Sequence, residues 1–231
     1  MTTATEPGAG SGLYRLLAWF SPSFPTGAFS YSHGLEAAAA DGAVHDRASL
    51  ETWVRAVVVH GSGRIDADIL CAAYRAARAG DLAALDGANR RGLAFRATAE
   101  LALETEQQGA AFLATCRAAW PQPCEDGWGA GEGVCHSAAC GAAAAGGGIA
   151  LADALIGYLQ ALAGNLVSAG LRLGVVGQTD GQRILAALEP AVAAAACAAR
   201  DRAPGDFGAA TFAADLASMA HETQYSRLFR S

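Results

Sequence analysis

Three stretches of this chain hold side chains whose types and spacing could do chemistry. Cys124, Cys135, His136 and Cys140 lie close together. Thiolate and imidazole are ligands for zinc and nickel alike, so this span is where a metal-binding protein would bind its ion. It lacks a Cys-x-x-Cys knuckle and is embedded in Gly and Ala. That setting favours cysteines used as small buried hydrophobes, so no resident metal is expected and a Cys/His metal-binding protein stands as the alternative. Ser30-Tyr31-Ser32-His33 sets hydroxyls beside an imidazole. Nucleophile and base normally meet through the fold, not by adjacency in the chain, and no Gly-x-Ser-x-Gly elbow is present; a hydrolase is not expected. Gly177-Gln-Thr-Asp-Gly-Gln-Arg183 opens a helix and could receive an anion there. It has no Walker spacing, and Asp180 would repel phosphate. Thr179-x-x-Gln182 reads instead as a capping box, with Asp180 and Arg183 free to touch a partner. His33, His45, His60, His136 and His221 form no i, i+4 metal pair. For His33 and His221 a structural role is expected.

Composition narrows the classes further. The chain has 231 residues and a formal net charge of −6, and it contains no lysine: all 16 basic residues are arginine. An acidic chain is a poor nucleic-acid ligand, since binding there rests on displacing counterions with basic groups. Without lysine there is no Walker A lysine, no Schiff base and no lysine general base; any nucleotide would be bound by another protein. No cofactor is implied. Residues 2–12 show neither the basic n-region nor the apolar h-region of a secretory signal, and residues 1–12 read as a disordered leader. With six cysteines and no signal, free thiols and a cytoplasmic location are expected, Cys71, Cys116 and Cys197 being core.

These groups must be positioned by helices. Hydrophobic residues make up 52% of the chain, dominated by Ala and Leu, and no segment alternates with period two. The patterns predict an all-α, single-domain bundle of roughly eight to ten helices over residues 13–220. Helices are expected over Leu13–Phe20, about Ser30–Ala40, from Asp46 to Gly61, from Asp66 to Gly80, from Asp81 to Gly92, and about Leu93–Trp120. Asp46 is the expected cap of the third. On the long helix Arg96, Glu100 and Glu104 recur at i+4 and read as a solvated face. Residues 121–148 read as a loop, a helix near Gly133–Ala144 and a glycine link. Residues 150–174 are apolar enough to raise a membrane span, but Gln160, Asn165, Ser168 and Arg172 would be costly in lipid. A buried central helix is expected, with Gly157, Ala161, Gly164 and Ser168 as a stripe for close helix approach. Pro190 should kink or break the next helix, and a last one runs over about Thr211–Ala220.

The final stretch, His221-Glu222-Thr223-Gln224-Tyr225-Ser226-Arg227-Leu228-Phe229-Arg230-Ser231, interleaves aromatic, aliphatic and Arg residues of the kind found at interface hot spots. It reads as a partner-docking tail, residues 221–231. Together with Gly27-Ala-Phe-Ser-Tyr-Ser-His-Gly-Leu-Glu36 and Gly177–Arg183, in this order, it resembles the UreF family of urease accessory proteins. The resemblance covers most of residues 13–231. It implies an all-α homodimer without activity of its own, a chaperone component for nickel insertion. That component bridges UreD (UreH in some species) and the GTPase UreG on apo-urease, with no nucleic acid or membrane partner. Matched family positions are Ser30, Tyr31 and Glu36, Glu100 and Glu104 on the long helix, and Asp180 and Arg183 in the late loop. In the tail they are His221, Glu222, Gln224, Tyr225, Arg227, Leu228, Phe229 and Arg230. Ala99 and Ala102 depart from the arginines often found there, and residues 121–148 resemble nothing expected of the family.

Overall fold

In the computed structural model, residues 9–120, 124, 128–129 and 133–231 are described. Ten α-helices make up the body: α1 Ala9–Trp19, α2 Leu35–Ala40, α3 Arg47–His60, α4 Ser62–Ala79, α5 Leu82–Ala94, α6 Ala99–Ala119, α7 His136–Gly146, α8 Leu151–Arg172, α9 Gln178–Asp201 and α10 Phe212–Glu222. Two single 3₁₀ turns, Ala28–Ser30 and Pro204–Asp206, complete it. Among the described residues there is no strand, so the all-α bundle expected from the patterns is what forms.

The centre is α7, and its composition is the reason. Nothing on it between Ser137 and Ala145 is larger than cysteine, and every one of those side chains is buried. A helix this thin can be approached closely on all sides. It lies along α4 and α6, with α5 and α8 also against it. A Cβ added at Gly141 would stand 2.5 Å from the Leu70 carbonyl oxygen, and one at Gly109 of α6 would stand 1.9 Å from that of Val134. Backbone meets backbone at both points, which only glycine allows.

Several boundaries follow from capping. Asp46 accepts the Ser49 N–H at 2.8 Å and starts α3, as read from the sequence. Gly80, at φ +67°, ends α4 in the left-handed conformation. Elsewhere the expected boundaries shift. Residues Ala9–Gly12 are helical rather than a disordered leader; residues 1–8 of that leader lie outside the described residues. The expected helix 30–40 is a 3₁₀ turn and a short α2, separated by His33 (φ +53°) and Gly34 (φ +75°). α4 starts at Ser62, so Asp66 does not open it but lies buried inside it. Gly177 precedes α9 with no side-chain cap, so the Thr179–Gln182 capping box does not form. Pro190 sits within α9, which continues to Asp201: the prolyl ring lacks a donor, but a helix anchored by Ile184, Leu188, Val192 and Ala196 in the core carries it through.

α8 and α9 are long and apolar enough, by length and composition, to cross a membrane. α8 packs against α9, α3, α4, α7 and α1, with Leu155, Leu159, Leu166 and Ala169 fully buried. The small-residue stripe on α8 is a different matter. At Gly157 α1 does approach, a Cβ there standing 3.0 Å from the Leu16 side chain, but a Cβ at Gly164 would meet only the Gln160 side chain, at 3.8 Å, so no helix approaches the stripe there. It faces a cavity instead.

Candidate functional site: the seated tail and the cavity beside it

The tail is folded onto the chain's own surface, in the seam between α2, α6 and α10. Three glutamates build its seat. Glu36 of α2 is buried and accepts the backbone N–H of Leu228 at 2.7 Å and of Phe229 at 2.9 Å. His221, fully buried at the end of α10, places Nε2 3.2 Å from Glu36 Oε2 and Nδ1 2.7 Å from Glu100 Oε2. Each ring nitrogen thus lies within hydrogen-bond distance of a carboxylate. Arg227 donates to the other oxygen of Glu100. Glu104 receives the Ser231 hydroxyl at 3.0 Å and the Gln108 amide at 2.7 Å, and it faces His33 Nε2 at 2.8 Å. Burial works against a charged His33, but the Glu104 charge and hydrogen bond outweigh it and raise the imidazole above its ordinary value. Backbone joins complete the seat: Ser32 N–H donates to the Ser231 carbonyl at 2.9 Å, and Arg230 N–H to the Ser30 carbonyl at 2.8 Å.

Phe229 is the tail's buried anchor, its ring lying 4.3 Å below the Arg172 guanidinium of α8. Tyr31 donates its hydroxyl to Gln107 at 2.6 Å on α6. Thus Tyr31, Glu36, Glu100, Glu104, His221, Arg227, Phe229 and Arg230, picked from separate motifs, converge on one place. Ser30 joins through its carbonyl, and Glu222 by accepting the Ala99 N–H at 2.9 Å at the start of α6. Gln224 donates within the tail, to the Ser226 carbonyl at 3.0 Å. Tyr225 and Leu228 point outward, Tyr225 entirely exposed and Leu228 63% exposed. Asp180 and Arg183 stand elsewhere, paired with each other at 2.9 Å on exposed α9. The expected solvated face of Arg96, Glu100 and Glu104 does not exist. Glu100 and Glu104 hold the tail, and Arg96 precedes α6 and is buried against Asp66 at 2.7 Å. Sequence spacing could not show this, because the partners lie far away in the chain.

Behind Glu104 and His33 opens a cavity of about 980 Å³. Trp19, Phe20, Phe24 and Ala161, Gly164 and Ser168 of α8 line it, with Phe29 and Phe95 also in its lining and exposed. Its polar wall includes Asp66, Arg96, His136 and Tyr158. Burial works to raise the Asp66 carboxyl, but the Arg96 charge, with hydrogen bonds from Arg96 and Ser137, holds it below its ordinary value. Burial pushes His136 down to about 4 and Tyr158 well above its ordinary value. The sequence offers His136 only as a metal ligand, Asp66 only as a helix start and Arg96 only as part of a solvated face, and gives no sign of Tyr158.

The metal-binding alternative is not assembled. Cys135 and Cys140 are fully buried, and the His136 ring packs on Phe112 and Tyr158 at 5.7 and 5.4 Å. Cys135 Sγ takes the Arg96 guanidinium at 3.3 Å. Burial pushes the Cys116 thiol up to about 12 and Cys140 well above its ordinary value. Among the described residues no three His, Cys, Asp or Glu side chains group to hold an ion. Cys71 and Cys116 are core as expected; Cys197 is exposed, on the outer face of α9.

Comparison with known proteins decides what this arrangement belongs to. The UreF family model matches residues 44–189, and relatives extend the match to nearly the whole chain. The urease accessory protein UreF of Rhodopseudomonas palustris is 50% identical, over 95% of this chain and 91% of its own. That of Azorhizobium caulinodans is 48% identical over 99% and 100%, and that of Granulibacter bethesdensis 49% identical over 95% and 94%. The chain belongs to the UreF family of urease accessory proteins. The resemblance read from the three motifs is therefore correct. In this UreF-family fold two of those motifs, the first and the last, are the two sides of the tail seat. The third, at the start of α9, contributes nothing to it.

Proposed function

We propose that this chain is a non-catalytic component of the nickel-insertion machinery of urease. In this reading it works in the cytoplasm as a homodimer, bridging UreD/UreH and the GTPase UreG on apo-urease as a chaperone. The observation that carries the reading is the near full-length match to proteins named urease accessory protein UreF. The seated tail supports it locally. Seating fixes the backbone of residues 224–231, so Tyr225 and Leu228 are presented from a rigid base, which lowers the ordering cost of docking. The exposed Leu13, Tyr14 and Leu17 of α1 support a second apolar contact face, such as a homodimer would cover. The absence of lysine fits a protein that leaves nucleotide binding to another chain.

The test is co-expression of the chain with the other urease maturation proteins and apo-urease. Tyr225→Asp with Leu228→Asp should leave the melting temperature within about 2 °C, since exposed side chains contribute little to stability. The same variant should lose co-purification of UreD and most urease activation. Activation at the unmodified level would overturn the docking role given to the tail. Failure of the unmodified chain to support activation at all would overturn the reading as a whole.

A further inference from the structure

The cavity beside the tail seat carries an inference independent of the partner-bridging reading. Its volume of about 980 Å³ is that of a small-molecule site, and its make-up is of the same kind: mostly apolar walls with a few convergent polar groups. The buried charged groups in it are paired. Asp66 is paired with Arg96 at 2.7 Å, and Glu104 with His33 at 2.8 Å. Asp215, half-buried in the lining, has no ion pair among the described residues, but the acidic and basic side chains that act on His136 and Tyr158 are the paired ones, Asp66, Glu104 and Arg96. Three polar side chains are not satisfied, the Trp19 indole Nε1 among them. Tyr158 is 7% exposed, and its hydroxyl has no hydrogen-bond partner among the described residues. The His136 ring likewise bonds to nothing through its nitrogens; only its backbone N–H is engaged, with Thr105. Both residues line the cavity, with ring centroids 5.4 Å apart. Buried polar groups in native proteins are nearly always paired, and a pair left open toward a cavity implies something that completes it.

We infer that this cavity is a binding site for a small neutral molecule with an aromatic or similarly apolar body and one head group that both donates and accepts hydrogen bonds. The body lies against Trp19, Phe20 and Phe24, and the head group is held by His136 and Tyr158. A neutral imidazole offers one donor and one acceptor, and a phenol offers either, so a hydroxyl or amide head group fits and a carboxylate or ammonium does not.

The test uses the full chain and four probes followed by ligand-observed NMR and calorimetry. These are p-cresol, toluene, benzoate and benzylammonium. p-Cresol should bind about tenfold more tightly than toluene, the worth of one or two completed hydrogen bonds, and both charged probes more weakly than p-cresol. Tyr158→Phe and His136→Phe keep a ring in place. Each should lower p-cresol affinity several-fold while toluene affinity stays, which also shows that the cavity is intact. Equal binding of toluene and p-cresol overturns the inference, and that comparison needs no variant. So does tighter binding of either charged probe, or p-cresol affinity unmoved by both substitutions. None of these results bears on the tail.

Discussion

Glu36 is the residue on which the seam closes. Its carboxylate accepts two backbone N–H groups and faces His221 while 7% exposed. Glu36→Gln keeps the shape but turns one acceptor into a donor that faces other donors. Hydrogen bonds to a charged group are worth about 1.5–3 kcal/mol. The amides of Leu228 and Phe229 should therefore exchange at least about tenfold faster, with α7 amides unchanged; hydrogen exchange by mass spectrometry reads both. Unchanged exchange at residues 228 and 229 would mean that the tail is held by other contacts. His136 gives a second expectation, on pH. In the unfolded chain its imidazole takes up a proton near the ordinary 6.5, whereas the folded chain resists until about 4. Across that window the unfolded state binds more protons, so stability falls as pH drops. His33 works the other way: its contribution is full at low pH and is lost as pH rises through its raised value. Asp66, held low, loses its contribution only as pH falls below the ordinary carboxylate range. His136→Phe should then lessen the loss of urea-measured stability between pH 7 and pH 5 by about 1–2 kcal/mol. An identical loss in variant and parent would show that His136 titrates normally. Little of this was legible in the sequence. Each motif is visible as residues, but Glu36, Glu100 and His221 meet only through tertiary packing, which spacing along one helix does not encode.

At the scale of elements, small residues mean different things on different helices. On α6 and α7 they let backbones touch, whereas on α8 Gly157 and Gly170 receive side chains and Gly164 borders empty space. Gly109→Ala forces a methyl to within 1.9 Å of the Val134 carbonyl oxygen. The α6–α7 seam must then move, at a cost of about 1–3 kcal/mol or more, seen as a clear drop in urea midpoint. Gly164→Leu, which close helix approach at that point would make damaging, should leave the midpoint unchanged or raise it slightly. Gly is among the poorest helix formers, by roughly 1 kcal/mol, and a Cβ there meets only Gln160, at 3.8 Å, on the wall of the cavity. Should Gly164→Leu prove the more damaging of the two, the face of α8 is covered in solution by something else. The helices themselves were legible wherever a cap and an amphipathic period agreed, as at Asp46 and Leu50, Val54, Val57 and Val58. They were not legible where composition is uniform. The alanine run of α7 has no polar face to set a period, and so its place at the centre of the bundle left no pattern to read.

For the whole molecule the question is whether the tail is an appendage or part of the fold. Composition alone reads residues 221–231 as a partner-docking tail set beyond the last helix. Packing argues for a different outcome. Removing residues 223–231 uncovers the Phe229 site, whose filling is worth about 1.5–3 kcal/mol. It also leaves Glu36 without two donors and Glu100 without Arg227, and it takes the Ser231 donor from Glu104. Breaking one side of a buried charged arrangement costs about 3–5 kcal/mol. Part of that is recovered as water reaches the carboxylates. A net loss of about 3–5 kcal/mol in a chain of this length lowers Tm by roughly 10 °C. The truncated chain should still melt cooperatively, since α4, α6, α7 and α8 keep their mutual packing. It should also lose urease activation, but for a different reason from Tyr225→Asp with Leu228→Asp, which removes only the outward contacts. Comparing the two separates structure from docking. A drop in Tm on truncation, with an unchanged Tm and lost UreD capture in the double substitution, gives the tail both roles: its inner face closes the bundle and its outer face meets the partner. If truncation leaves Tm where it was, the glutamate seat contributes nothing to the fold, and the buried network around His221 has to be explained by binding alone.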